Sequence, residues 1–444
     1  MKLVYGVDAK IKDMGFLNTL VFALQQLLAI MAATIAVPAI IGNGMSSTAA
    51  LFGAGVGTLV YLLFTKFRSP VFLGSSFAFI GSMFAAFAGG ASMAVGYLGL
   101  IIGAAFAGLV YVVLAICVKF AGVGWINKLM PPVVIGPTVA IIGLSLAGNA
   151  VGDLAKGSVL VDNNPTASPY VALICGLVTL FVTIIASVYG KKTIKLIPFI
   201  MGILAGYAVA TVFTVIGTAT GNSALMVIDF AKFEAMKWIP DFTFLTAFGG
   251  LKDIDAAYIG TVAVAYVPVA FVVFAEHIAD HKNLSSIIER DLLTEPGLHR
   301  TLLGDGIGSF AGSFFGGCPN TTYGESVGCV AISGNASVAT IFTTAIMAIV
   351  ISFFGPFATF LSTIPSCVMG GICIALYGFI AVSGLKMIQA IDLNQNKNLF
   401  VVSVILIAGV GGLAVSFGKV TITSIACALI LGILTNTIVA KAKD

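Results

Sequence analysis

Charge is scarce in this chain. Only 9% of its 444 residues are Asp, Glu, Lys or Arg, whereas 59% are hydrophobic, and the mean hydropathy is +1.10. A soluble fold this apolar would have too little polar surface to stay dissolved. Long polar linkers are lacking too, and no soluble regulatory domain is visible. The seven cysteines fall mostly inside apolar segments without paired spacing, so they read as small packing residues, not as disulfides or a metal site. No nucleophile–base or metal-ligand constellation stands out, which argues against a membrane enzyme. The net charge of +4 is spread over short loops and carries no nucleic-acid signature.

What is present is a series of apolar runs, each near the roughly 20 residues that cross a bilayer. Glycine is abundant, at 51 residues, and small residues let membrane helices approach closely. The run from Phe16 to Ile41 exceeds a signal-peptide core and reads as a first spanning helix. Fourteen spanning or partly spanning segments follow the chain at about 16–41, 47–65, 70–88, 95–119, 131–151, 169–190, 194–217, 257–280, 302–317, 320–334, 337–360, 365–385, 399–416 and 420–440. Segments nine and ten are short and interrupted by Gly and Pro.

With both termini in the cytoplasm, 17 of the 22 Lys and Arg fall on the inner side. Three of the outer five (Lys232, Lys237, Lys252) lie in the long loop 218–256, where the positive-inside rule is weak. That loop has no readable function of its own.

An internal repeat runs through the segments. Ser75-Ser76-Phe77-Ala78-Phe79 in segment three resembles Thr321-Thr322-Tyr323-Gly324-Glu325 in segment ten. Pro131-x4-Gly136 opens segment five, as Pro365-x4-Gly370 opens segment twelve. Both matches are seven segments apart, an odd number, so the second half is inverted relative to the first. Inverted repeats with interrupted segments in matching positions point to a substrate site at the midplane. The two stretches are β-prone or flexible. Irregular backbone at membrane depth is tolerated where it is buried or lines a cavity. If they meet, their free backbone groups can pair with each other and with a ligand, and each following half-helix presents its N-terminus to an acceptor atom.

Four acids fall in or beside these segments: Glu276, Asp280, Asp305 and Glu325. Acids within spanning segments usually face a cavity and mark a substrate, ion or proton path. Glu276 and Asp280 are four apart and share a helix face. Two acids one turn apart in low dielectric do not both ionise easily, a property suited to proton coupling. Asp280 sits at the end of the run, so a solvated interface position and a functional one weigh about evenly. His277 and His281 form an adjoining i,i+4 pair. For His281 and Lys282 the solvated interface reading is favoured, and the His-x3-His spacing lacks the glutamate placement of a zinc protease. Glu325, within Gly324-Glu325-Ser326-Val327-Gly328, reads as a ligand contact. Asp305, in Leu303-Gly304-Asp305-Gly306, reads as a cap of segment nine. Phe77 is placed to stack on a flat ligand.

At these residues the chain resembles the nucleobase–ascorbate transporter family, and within it looks most like bacterial uracil permeases. The resemblance covers nearly the whole chain. It is densest at Gly74 to Phe79, at Ala275-Glu276-His277, from Asp291-Leu292-Leu293 through Pro296 to Arg300, and at Pro319 to Glu325. The segment-ten signature here reads Glu325, Ser326, Val327, Gly328, then Ser333-Gly334, with Ser326 in place of the usual Asn and Ser333 in place of Thr. Glu in its first position is similar to the uracil carriers; purine and xanthine carriers typically have Gln. Two other positions depart from the family. Gln25-Gln26 stands where Gln-His is frequent, and Asp280 stands where close relatives have His.

The resemblance implies an all-α polytopic membrane protein of the cell membrane. Its fourteen segments would form a 7+7 inverted repeat, with two short antiparallel β-strands in segments three and ten. It implies a core domain (about 16–119 and 257–360) and a gate domain (about 131–217 and 365–440). Glu276 and Glu325 would accept ring N–H groups, and backbone N–H at Phe77 and Gly324 would donate to ring carbonyls. The ring would lie near Phe77, Ala33 and Tyr323, with Tyr377 on the gate side. Proton coupling would involve Glu276, Asp280 and Glu325, with the proton as coupling ion and no cofactor. The expected activity is uracil:proton symport. A purine or xanthine:proton symporter is the first alternative. An anion transporter of related architecture is disfavoured because two acids would repel its substrate, and a passive channel would not concentrate substrate. A homodimer is also what the resemblance implies.

Overall fold

The computed structural model describes residues 3–122, 131–161, 164–191, 193–234, 236–417 and 420–440. Of the basic residues counted above, Lys2, Lys128, Lys192, Lys419, Lys441 and Lys443 lie outside these. The apolar runs fold as helices, since a bilayer offers no water to satisfy open backbone groups. The first half holds α1 (Phe16–Ile41), α2 (Ser47–Phe64), β1 (Leu73–Ser75), α3 (Ile80–Gly89), α4 (Met93–Ala121), α5 (Pro132–Ser145), α6 (Ala147–Asp153), α7 (Pro169–Tyr189) and α8 (Pro198–Thr220). The second holds α9 (Ala256–Ile288), α10 (Leu298–Gly316), β2 (Asn320–Thr322), α11 (Gly324–Ser333), α12 (Val338–Ser352), α13 (Gly355–Thr363), α14 (Ser366–Gln389), α15 (Asn396–Val410) and α16 (Ser424–Val439). Among the described residues, eight helices are long and apolar enough to cross a membrane, or nine if α12 and α13 count as one bent span.

Local chemistry sets many of the helix starts. Ser46, Ser92 and Asp255 accept hydrogen bonds from the backbone N–H groups of Ala49, Val95 and Tyr258 at 3.1, 3.3 and 2.7 Å. These satisfy donors that a helix start leaves open. Pro131 and Pro365 occupy the equivalent positions before α5 and α14, where a missing N–H costs nothing.

Segments three and ten each consist of a short strand followed by a ten-residue helix. The strands pair antiparallel, Leu73 opposite Thr322, Gly74 opposite Thr321 and Ser75 opposite Asn320. Pairing thus begins two residues before Ser75 and one before Thr321. It also takes in Asn320, whose side-chain amide donates to the Gly53 carbonyl at 3.0 Å and ties β2 to α2.

Three other expectations need correction. Segment eleven is not one continuous span: α12 and α13 meet at an 83° bend around Phe353–Phe354. Segment nine is not interrupted, since α10 runs unbroken for 19 residues. Segment eight does not end at residue 280, because α9 continues through 33 residues to Ile288 and carries His281 and Lys282 as helical positions.

The helices pack as two sets. In one, α10 lies against α2 and α4, and α9 against α3 and α4; in the other, α14 lies against α5 and α7. The tightest crossings need glycine. A Cβ on Gly53 of α2 would collide with the Gly312 carbonyl of α10, and one on Gly384 of α14 with the Gly136 carbonyl of α5. Such backbone-to-backbone contact is a main source of helix association where lipid removes the hydrophobic drive.

Candidate functional site

Two half-helices begin beside the β1–β2 pair. Ser76 donates its backbone N–H to the Pro319 carbonyl at 2.8 Å, so Phe77 and Ala78 lie at the mouth of α3. Tyr323 closes β2, and Gly324 and Glu325 form the first turn of α11. Among the described residues, the N–H groups of Phe77 and Gly324 donate to no backbone carbonyl. Helix starts with free donors are suited to an acceptor oxygen.

Both starts border a cavity of about 380 Å³. Ser76, Phe77, Ala78, Thr321, Thr322, Tyr323, Gly324 and Glu325 line one side of it, together with Ala275, Glu276, Ala279 and Asp280 of α9. The facing wall is Ile135, Val139 and Ile142 of α5, Phe199 of α8, and Leu376, Phe379, Ile380, Ser383 and Met387 of α14. Polar groups therefore concentrate on one side, and Ser383 alone interrupts the apolar wall opposite. The volume falls within the usual range of small-molecule sites.

Glu276 and Asp280 present one face of α9 to this space, as their i,i+4 spacing requires, and both are half-buried. Asp280 accepts a hydrogen bond from the Thr322 hydroxyl at 2.7 Å, which links α9 directly to β2. Glu325 is also half-buried in the lining. Phe77 meets Tyr377 edge-on, with ring centroids 6.1 Å apart at 79°. The Tyr323 hydroxyl donates to the Ser75 carbonyl at 2.6 Å, so it braces the strand pair while the residue borders the cavity.

The structure thus brings Glu276, Asp280, Glu325, Phe77, Tyr323 and Gly324 to one cavity. It does not bring Ala33 or Tyr377 into the lining. Ala33 is wholly buried in α1, and Tyr377 is buried behind Phe77. Thr322 was missed, although a hydroxyl three residues before Glu325 is a recognisable donor for a neighbouring acid. The wall on α5, α8 and α14 was also missed, because its residues look like any membrane-buried apolar side chain. Ser326, at the family's Asn position, faces away from the cavity. Its hydroxyl accepts from the Gln26 amide at 2.5 Å and from the Phe72 N–H at 3.2 Å.

Two of the singled-out polar residues lie elsewhere. Asp305 is not a cap: it sits inside α10, fully buried, 2.7 Å from His277 Nδ1. His281 is not at a solvated interface. It is fully buried, bonded to the Tyr61 hydroxyl at 2.7 Å and stacked on His277 with centroids 4.0 Å apart. Only Lys282 of that stretch is exposed.

Comparison with known proteins places this geometry in context. Residues 17–417 match the Permease family (Xan_ur_permease). The chain is 38% identical over 432 residues to a uracil permease of Bacillus subtilis (strain 168), covering 95% of this chain and 93% of that one. It is 40% identical over 421 residues to a uracil permease of Bacillus caldolyticus, covering 94% and 90%. A uracil permease of Escherichia coli (strain K12) is 35% identical over 423 residues, at 94% and 90% coverage. Among solved structures, the transmembrane domain of the cyanobacterial bicarbonate transporter BicA superposes with a TM-score of 0.67 at 16% identity, covering 98% of this chain and 99% of that one. Murine Solute Carrier 26 family member A9, an anion transporter in its inward-facing state, gives a TM-score of 0.64 at 15% identity, covering 97% and 69%. At such identities these two matches speak for the fold alone.

Proposed function

The chain belongs to the nucleobase–ascorbate transporter family, and from that premise we propose that it carries uracil into the cell with protons by alternating access. It is a permease and not an enzyme. The observation that carries the substrate reading is the one-sided cavity, where Glu276 and Glu325 stand near two half-helix starts with free N–H groups. Uracil is a flat ring with two N–H donors and two carbonyl acceptors. Glu276 and Glu325 accept from the ring nitrogens, and the N–H groups of Phe77 and Gly324 donate to the ring oxygens. Phe77 and Tyr323 flank the ring, Tyr377 backs Phe77, and Ala33 supports the site from behind. An analogue lacking a donor leaves a buried carboxylate unpaired, at a cost of about 1–3 kcal/mol.

The same reading divides the chain into a core (α1–α4 and α9–α13) and a gate (α5–α8 and α14–α16), related as a 7+7 inverted repeat of fourteen segments. The antiparallel β1–β2 pair, the proline-led starts of α5 and α14 and the two packing sets support it. Ile135, Phe199 and Met387 are flanked in sequence by Lys128, by Lys191, Lys192 and Lys195, and by Lys386 and Lys397, all counted on the inner side, which supports an inward-facing cavity and cytoplasmic termini. A homodimer belongs to this reading. Proton coupling runs through Glu276, Asp280 and Glu325. Asp280→Asn retaining full gradient-driven uptake would remove Asp280 from that set.

The test is radiolabelled uracil uptake in proteoliposomes with and without an inward proton gradient. Accumulation competed by uracil and not by xanthine, and lost in Glu325→Gln, supports the reading. Uptake competed by xanthine instead moves the substrate to purines, and equilibration without accumulation makes the protein a passive channel.

A further inference from the structure

Behind the cavity, α9 carries a second set of polar groups that the transport site does not use. His277 Nδ1 lies 2.7 Å from Asp305 Oδ2, and His277 Nε2 lies 2.9 Å from Thr301 Oγ1. Thr301 also donates its hydroxyl to the Leu298 carbonyl at 3.0 Å. His277, Thr301 and Asp305 are completely buried, and none of them lines the cavity. The groups facing His277 are Asp305 and Thr301 of α10 and His281 of its own helix. Tyr61 of α2 lies beyond His281, and Tyr111 of α4 packs over Gly306 beside Asp305.

With the Thr301 hydroxyl donating to Leu298, a donor count places the remaining protons. A hydroxyl has one proton, and a carbonyl can only accept. If Thr301 donates to Leu298, its oxygen must accept from His277, so Nε2 bears a proton. Nδ1 and Oδ2 are then in hydrogen-bond contact, and two lone pairs would repel there. A further proton must lie between them, on the carboxyl or on the ring. Either way the His277–Asp305 dyad is uncharged as a whole, the state least costly to bury. The stacked His281 uses Nδ1–H toward the His277 carbonyl at 2.8 Å, and with Ser69 donating to the Tyr61 hydroxyl at 2.7 Å that hydroxyl is free to donate to Nε2, which leaves His281 neutral beside the dyad.

We infer that His277 and Asp305 form a resident-proton site that anchors α9 to α10 and is distinct from the groups that exchange the transported proton. His277 is then a positioning residue for Glu276, the residue just before it in the chain. Its bonds to α10 set the rotation of α9 that keeps Glu276 and Asp280 on the cavity face.

The chain has only three histidines, which makes a direct reading practical. Nitrogen-15 NMR of histidine-labelled protein in liposomes, assigned with His281 and His299 variants, reports which ring nitrogens bear protons. The expected result is a protonated His277 Nε2 at every pH at which uptake is gradient-driven; a bare Nε2 overturns the inference. This arm stands whether or not uracil is the substrate. The positioning role rests on the uracil reading, and uptake kinetics with Thr301→Val and Thr301→Ser test it. Losing the hydroxyl raises KM for uracil roughly fivefold at unchanged membrane abundance, while serine restores it. A loss of maximal rate alone, with KM unchanged, would reduce Thr301 and the dyad to a folding role.

Discussion

Neighbouring residues on α9 occupy two different environments. Glu276 and Asp280 border an open cavity, half-exposed and within reach of a ligand. His277 and His281, each one position further on, are sealed against α10 and α2, with both ring nitrogens bonded. All four are ionisable and both pairs share the same i,i+4 spacing, so composition and periodicity do not separate them. The environment does. A group facing the cavity can exchange protons and substrate, whereas a group with every donor and acceptor engaged in protein serves the architecture.

The contrast predicts effects of different kind and size. The largest falls on stability. Asp305→Ala leaves a His277 ring nitrogen without its partner in a dry interior, at about 1–3 kcal/mol, and adds the cost of the cavity left by the carboxyl group. Thermal unfolding of purified protein reads this, and a melting point equal to wild type would show that the sealed side is not anchored by the dyad. Next comes Glu325→Gln, which removes a charged acceptor from the cavity. Uracil affinity falls roughly 10- to 100-fold, the cost of about 1.5–3 kcal/mol for a charge-assisted bond, with little change in melting temperature. Direct binding measurements check it, and unaltered affinity would take Glu325 out of the site. Smaller still is Thr322→Val, which frees Asp280 from its only hydroxyl partner among the described residues. A lost hydrogen bond of about 1 kcal/mol shifts the apparent proton affinity of uptake by roughly fivefold. An unchanged pH profile would separate Thr322 from coupling. The smallest effect is Arg68→Ala, which removes a half-exposed ion pair with Glu295 between two loops. It changes stability by less than about 1 kcal/mol. A large loss there would mean that the loops contribute more than solvent screening allows.

The frame of this molecule was legible in the sequence wherever local pattern suffices. Apolar length located the helices, and the hydroxyl–hydroxyl–aromatic repeat located the two strand–helix starts that meet at the cavity. Glu276, Glu325, Phe77 and Gly324 stood out because acids, glycines and interrupted stretches at membrane depth have few structural uses. Asp305 and His281 were misread for the converse reason. A Gly-Asp-Gly run looks like a cap, and a histidine beside Lys282 looks like an interface. Their partners are brought in by other helices, His277 of α9 for Asp305 and Tyr61 of α2 for His281, the latter pair separated by 220 positions. The apolar wall opposite the acids was hidden because lipid-facing and cavity-facing side chains on α5 and α14 have the same chemistry.

The central claim is that the cavity-facing acids, and not the sealed dyad, carry the proton with uracil. The measurement that tests it most directly is uracil-evoked acidification inside proteoliposomes carrying a trapped pH-sensitive dye, with Glu276→Gln compared with wild type. The account predicts acidification on adding uracil to wild type and none with Glu276→Gln. Undiminished acidification in that variant would contradict it and place the transported proton elsewhere.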